Sequence, residues 1–253
     1  MIIFEDIGLM FKRAFVEAMR NGIWVVVGIS SPLLYLALFT PLLQKLAGGP
    51  GFPTGSALDV FLPGLLAFLA FGSGFGPSYS TIFELQEGTV ERFRVTPVSR
   101  SALLIGPILS NIVWLFVFVA ILVAIAIPFG FNLHLGGLLV AFVLLALTLS
   151  VVASFGISIA LLTKDISSMS AILNGLNLPV LLLSGVLLPL TLAPAWMRIL
   201  AHFNPLFYVV EANRRLSMGD IANSNVWLAF LVMVLLTALT LWWATRVYRK
   251  AVA

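Results

Sequence analysis

The chain has 253 residues, of which 61% are hydrophobic and 9% charged, with a net charge of +4 and no cysteine. Ordinary soluble domains carry about a quarter charged residues, so this composition excludes a soluble core and predicts a bundle of membrane-spanning helices. No disulfide framework or thiolate metal site is possible, and the positive charge reads as the lysine and arginine bias that orients membrane helices rather than as affinity for nucleic acid.

Residues 1–20 place Ile3, Ile7, Met10, Phe11, Ala14, Phe15 and Ala18 on one helical face and Asp6, Lys12, Arg13, Glu17 and Arg20 on the other. The pattern predicts an N-terminal amphipathic interfacial helix lying on the membrane. A secretory leader is the competing reading. Glu5 and Asp6 stand ahead of the apolar stretch, which is longer than a leader's roughly 7 to 15 residues, and this favours retention as an anchor.

Six spans follow, at about 22–44, 60–83, 103–128, 136–162, 168–188 and 224–245, each long enough for a bilayer core of about 30 Å. The fifth apolar stretch carries Pro179, Pro189 and Pro194, and is expected to break near Pro189. Residues 189–215 are too short to span and too apolar for a solvated loop. They read as an outer re-entrant helical hairpin, with a plain amphipathic surface loop as the alternative. Asn204 followed by Pro205 is a helix start, a capping side chain and then a residue whose missing N–H costs nothing at the first helical position. Arg92, Arg94, Arg100, Lys164, Arg246, Arg249 and Lys250 share one side with Lys12, Arg13 and Arg20, whereas Lys45, Arg198, Arg214 and Arg215 fall on the other. Both termini are therefore expected in the cytoplasm. The whole of 1–253 reads as a single all-α integral membrane domain.

Chemistry-bearing motifs are scarce. No GxxxxGK[ST] segment occurs, and His134 and His202 stand alone on outer segments without metal-ligand spacing. GSGFG at residues 72–76 superficially matches a dinucleotide loop, but no strand precedes it and no separate helix is expected after it. Gly64, Phe68, Gly72, Gly76 and Ser80, and again Ser150, Ser154 and Ser158, recur every four residues as small-residue packing stripes. No Asp, Glu, Lys or Arg falls at the centre of a span. Asp59, Glu84 and Asp165 lie at span edges, and the spans hold only neutral groups such as Asn111, Asn174 and Asn177. Ion-coupled transporters keep ionisable groups in mid-membrane at a cost of about 2.5 to 3.5 kcal/mol each, so the energy for any transport is expected from outside this chain.

The connection between the second and third spans, residues 84–100, is dense in signals. Gly88 can end the helix leaving the membrane, Thr89 can cap a short new one through Phe93 and Arg94, and Pro97 stops it. A helix this short is marginal alone and needs a surface to dock on. Val90 and Phe93 form an apolar knob ringed by Glu87, Glu91, Arg92 and Arg94. That suits a groove on a partner protein; an ordinary positive-inside loop is the alternative.

EGTVERFRVTPVSR at 87–100 and SGVLLPLTLAPAWMRILAHFNPLFYVVEANR at 184–214 resemble the coupling segment and the signature of the type-2 permease family of ABC exporters, which includes drug-resistance and nodulation-factor exporters. The resemblance covers essentially the whole chain. It implies a multi-pass permease of the cytoplasmic (inner) membrane, without catalytic residues, cofactor or metal of its own. It also implies a dimer with a second copy or paralogue, and a separate ATPase subunit that binds ATP and Mg. The expected cargo is an amphipathic, drug-like or lipid-linked compound. By the same resemblance, Glu87, Gly88, Thr89, Val90, Glu91, Arg92, Phe93 and Arg94 would contact the ATPase, with Lys164 and Asp165 adding a second contact. Phe68, Phe71, Phe75, Asn174 and Asn177 would line the path. An ion-coupled secondary transporter and a non-transporting membrane scaffold are the alternatives.

Overall fold

The computed structural model describes residues 2–20, 22–44, 57–88, 99–187 and 190–251. Every regular element among them is helical: α1 (Ile2–Arg20), α2 (Gly22–Gln44), α3 (Ala57–Ser73), α4 (Gly76–Gln86), α5 (Arg100–Ala126), α6 (Leu135–Thr163), α7 (Ile166–Leu183), α8 (Ala195–Ala201), α9 (Pro205–Ser217) and α10 (Ser224–Ala251), with single 3-10 turns at Ile127–Phe129 and Leu190–Leu192. Six helical stretches are long and apolar enough to cross a membrane, α3 and α4 together counting as one. A helix satisfies every backbone group within its own segment, so each of these stretches can cross lipid without leaving a backbone donor or acceptor unpaired.

α6 is the hub. It packs against α3, α4, α5, α7, α9 and α10, and its buried row of Leu144, Leu145, Leu149, Ala153 and Ile157 forms the middle of the main core. α2, α7 and α10 ride on the outside of the bundle with apolar side chains such as Val26, Leu38, Leu178, Leu182, Leu235 and Leu239 exposed. Such faces need no aqueous cover in a bilayer.

The second span is not continuous. GSGFGP stops α3 at Ser73, and α4 starts at Gly76. Pro77 cannot donate to the carbonyl of Ser73, and the backbone tightens into the Phe75 N to Gly72 O and Ser78 N to Phe75 O bonds. A separate helix therefore does begin after this glycine-rich run, contrary to the expectation from the sequence. The two halves join different cores. α3 belongs to the main core, whereas Ile82 of α4 packs with Ala160, Met169 and Leu173 in a small cluster of its own.

Close approaches fall on the glycine stripe and beside it: a Cβ at Gly76 would meet Asn111 Oδ1 at 2.7 Å, and one at Gly64 the Cα of Val186 at 3.2 Å. A Cβ at Gly74 would meet Val152 Cβ at 2.6 Å, and one at Gly156 would collide with Ser78 Oγ. α4 and the turn before it thus lie close against α6. Ser150, Ser154 and Ser158 instead donate to their own helix, at the carbonyls of Ala146, Ser150 and Ser154.

Candidate functional site

The connection after the second span is held at both flanks by α1. The apolar face of α1, with Met10, Phe11, Ala14 and Phe15, packs on the first half of α5. Gly106 leaves room for Met10, and Phe15 stacks on Trp114 with centroids 5.5 Å apart. The helix expected to rest on the membrane therefore has its apolar face taken up by the third span. This packing carries the polar edge of α1 past both flanks of the connection. Arg13 pairs with Glu84, near the end of α4, at 2.9 Å. Asp6 accepts a 2.9 Å hydrogen bond from the backbone N–H of Ser99, the residue capping α5. A carboxylate at a helix N-terminus satisfies a donor that would otherwise be orphaned and opposes the helix dipole favourably. The ring of Tyr248 on α10 is buried at the same end of the bundle.

Between those two grips, Glu87 is exposed and Gly88 adopts φ +70°, the left-handed geometry that ends α4. Thr89, Val90, Glu91, Arg92, Phe93 and Arg94, together with the expected cap at Thr89, lie outside the described residues. Lys164 and Asp165 form the whole connection between α6 and α7, and both are exposed. Lys164 sits at φ +52°, the one non-glycine residue with positive φ among those described. Asp165 caps α7, its carboxylate accepting from the Ser168 N–H at 2.7 Å. That N–H holds the carboxyl below the usual carboxylate range. The cap is therefore complete above the ordinary carboxylate pKa and is lost as pH falls through the lowered value.

The residues nominated for a path divide between two packed groups. Phe68 meets Tyr35 edge-on at 6.2 Å and Phe71 meets Phe75 at 5.2 Å. Phe75 also packs on the small cluster that includes Leu173 of α7. Asn174, the next residue, is exposed, and Asn177 has a buried Oδ1 without a hydrogen-bond partner.

At the opposite end, the structure ties three elements through a residue that sequence reasoning had treated only as an outer loop cation. Arg214 on α9 is 5% exposed. Its Nε donates to Val60 O at 3.0 Å, one terminal nitrogen to Gly185 O at 2.7 Å and the other to Glu211 Oε1 at 2.8 Å. Burial draws its pKa down and Glu211 pulls it partly back. Asn204 starts α9 as expected, its Oδ1 accepting from Leu206 N while its Nδ2 donates to Val180 O of α7. α7 itself ends at Leu183, with Gly185 at φ +75°, earlier than the break expected near Pro189, which lies outside the described residues. His134 and His202 are spent on the backbone carbonyls of Ser217 and Arg198.

Residues 5–218, from α1 through the end of α9, match the family described as ABC-2 type transporter. The chain belongs to that family. Among relatives of this ABC-2 domain is a transport permease, ycf38, of Cyanophora paradoxa, 32% identical over 212 residues that cover 83% of this chain and 73% of the relative. The ycf38 permease of Porphyra purpurea is 26% identical over 219 residues, covering 84% and 74%. ABC transporter G family member 20 of Dictyostelium discoideum is 27% identical over 188 residues, which make up 73% of this chain and 26% of that much longer protein. As an ABC-2 membrane domain the chain is a multi-pass transport subunit rather than a catalyst, and its family implies an ABC ATPase as partner.

Proposed function

We propose that this ABC-2 subunit exports an amphipathic, drug-like or lipid-linked compound across the cytoplasmic membrane, powered by ATP and Mg bound on a separate ATPase subunit. Two copies, or one copy and a paralogue, enclose the path. Phe68, Phe71, Phe75, Asn174 and Asn177 face it, and both chain termini lie in the cytoplasm. The observation that carries the reading is the double grip of α1: Arg13 on Glu84 and Asp6 on the N–H of Ser99 fix the two ends of the connection that holds the Val90 and Phe93 knob. A segment anchored at both flanks passes on a push delivered to its middle, whereas a loose loop absorbs it. The exposed turn at Lys164 and Asp165 offers the ATPase a second foothold.

The apolar spans favour cargo with little net charge, because an ion taken out of water needs compensation that these helices do not supply in mid-membrane. The deciding measurement uses membranes that hold this chain and its ATPase. Replacing Val90 and Phe93 together by Asp should abolish cargo-stimulated ATP hydrolysis while leaving the chain inserted at its normal level. Unchanged hydrolysis would count against the docking assignment. Transport driven by a proton or sodium gradient in vesicles holding this chain alone would replace the proposal with an ion-coupled carrier.

A further inference from the structure

The break in the second span leaves hydrogen-bond acceptors without donors deep in the membrane. Ser73 and Gly74 lie near the middle of the 29-residue stretch Leu58–Gln86. Gly74 N bonds to Ala70 O and Phe71 O, Phe75 N to Gly72 O, and both Ser78 N and Tyr79 N to Phe75 O. Pro77 has no N–H to offer, so the carbonyls of Ser73 and Gly74 receive none from the backbone. Asn111 of α5 adds a third acceptor. Its Nδ2 is spent on Pro107 O at 3.0 Å, whereas its Oδ1 stands against Gly76, 2.7 Å from where a Cβ would be, and accepts no bond among the described residues.

The break is closed on one side only. Gly74 is buried against Val152 and Leu149 O of α6, while Gly72 and Gly76 are exposed and nothing lies within 4 Å of a Cβ built at Gly72. Non-helical backbone at membrane depth persists where protein buries it or where it lines a cavity that supplies partners. Three acceptors with no donor call for a ligand that donates. A bare cation also suits carbonyl oxygens, but it would lack a countercharge here. Asp59 and Glu84, the acidic residues of this span, stand at its two ends, and α2, α5 and α6 contain no acid. A neutral O–H or N–H fits, and the rings of Phe71 and Phe75, edge to face at 5.2 Å, supply apolar contact beside it.

We propose that the gap at Gly72 and Gly76 binds the hydroxyl or amide N–H of an uncharged aromatic compound, the donor being taken up by Asn111 Oδ1 and the freed carbonyls of Ser73 and Gly74. One polar recognition point in an otherwise apolar span makes selection depend on a donor rather than on greasiness alone. The inference gives the proposed cargo its polar feature and rests on that reading for its purpose, but binding needs no ATP and is measured apart from transport.

The test uses two photoprobes, a diazirinyl phenol and its methyl ether, which share one ring and differ only in the O–H. Each is irradiated with membranes that hold this chain and its ATPase, without ATP, and the labelled residues are mapped by mass spectrometry. The phenol should label residues 68–76 about fivefold more than the ether, the factor expected for one hydrogen bond. Asn111→Leu should at least halve that preference while ether labelling stays as in the parent, which shows the fold intact. Asn111→Asp keeps the acceptor and should keep the preference. Gly72→Leu fills the open side and should exclude both probes. Equal labelling by the two probes in the parent would overturn the proposal and leave the carbonyls to water. An unchanged preference in Asn111→Leu, or an equal loss in Asn111→Asp, would overturn it too. A phenol preference in membranes where the phenol leaves ATP hydrolysis unaltered would uphold the site and count only against the transport reading.

Discussion

Arg214 shows how a single buried guanidinium can hold one end of this bundle together. Its planar fork reaches two backbone carbonyls from different elements and one carboxylate, a set of directions that a lysine ammonium cannot reproduce from one position. Removing it strips Gly185 O of its buried donor, Val60 O of a second one beyond its helical bond, and Glu211 of its cation. Arg214→Gln should therefore lower stability by about 3 kcal/mol, read as thermal unfolding in detergent. Glu211→Gln should cost less, because Glu211 is only partly buried. A loss for Arg214→Gln no larger than for Glu211→Gln would contradict the account. The Glu211 and Arg214 pair was visible in the sequence at a spacing of three, but its burial was not. Val60 lies 154 residues away and Gly185 29, and no local pattern announces that their carbonyls converge. The small-residue stripes were half legible for a related reason. Spacing reveals a narrow helix face, and Gly64 and Gly76 do meet close neighbours, yet the contact with α6 falls on Gly74 and Gly156 and the serine hydroxyls bond back to their own helix.

Among the elements, α1 departs furthest from the behaviour expected of it. Its amphipathic pattern was plain in residues 3–20, but the pattern fits a protein surface as well as a lipid surface, and α5 took the apolar face. The Arg13 and Glu84 pair is partly exposed, so its direct stabilisation is about 1 kcal/mol at most. Its weight is in geometry. Arg13→Glu and Glu84→Arg should each reduce cargo-stimulated ATP hydrolysis several-fold at unchanged expression, and the double exchange should recover at least half of the loss. No recovery in the exchanged pair would show that the contact does not transmit force. Helix bounds lie near the expected span bounds where turns are short and chemical signals dense. Gly22–Gln44 coincides with its expected range and Leu135–Thr163 differs by a residue at each end. The helix of the fifth span stops at Leu183, where Ser184 N bonds to Leu181 O and Gly185 turns the chain, ahead of Pro189, which lies outside the described residues.

For the whole molecule, the absence of cysteine makes sidedness directly measurable, since any single introduced thiol is unique. Ser167 and Ser224 are both exposed, in the first turn of α7 and at the start of α10. An impermeant maleimide added to intact cells should label Ser224→Cys and spare Ser167→Cys until the membrane is opened. The opposite pattern would invert the bundle and remove the docking turns from the ATPase. The interruption at Gly74 and Phe75 has a mechanical corollary for the assembled bundle. A rod cut in the middle cannot carry torque from one end to the other, so a tilt imposed on α4 is not handed along to α3. α6 runs unbroken beside both halves and also touches α9 and α10. It is the one helix among those described that links the end gripped by α1 to the Arg214 clasp at the other.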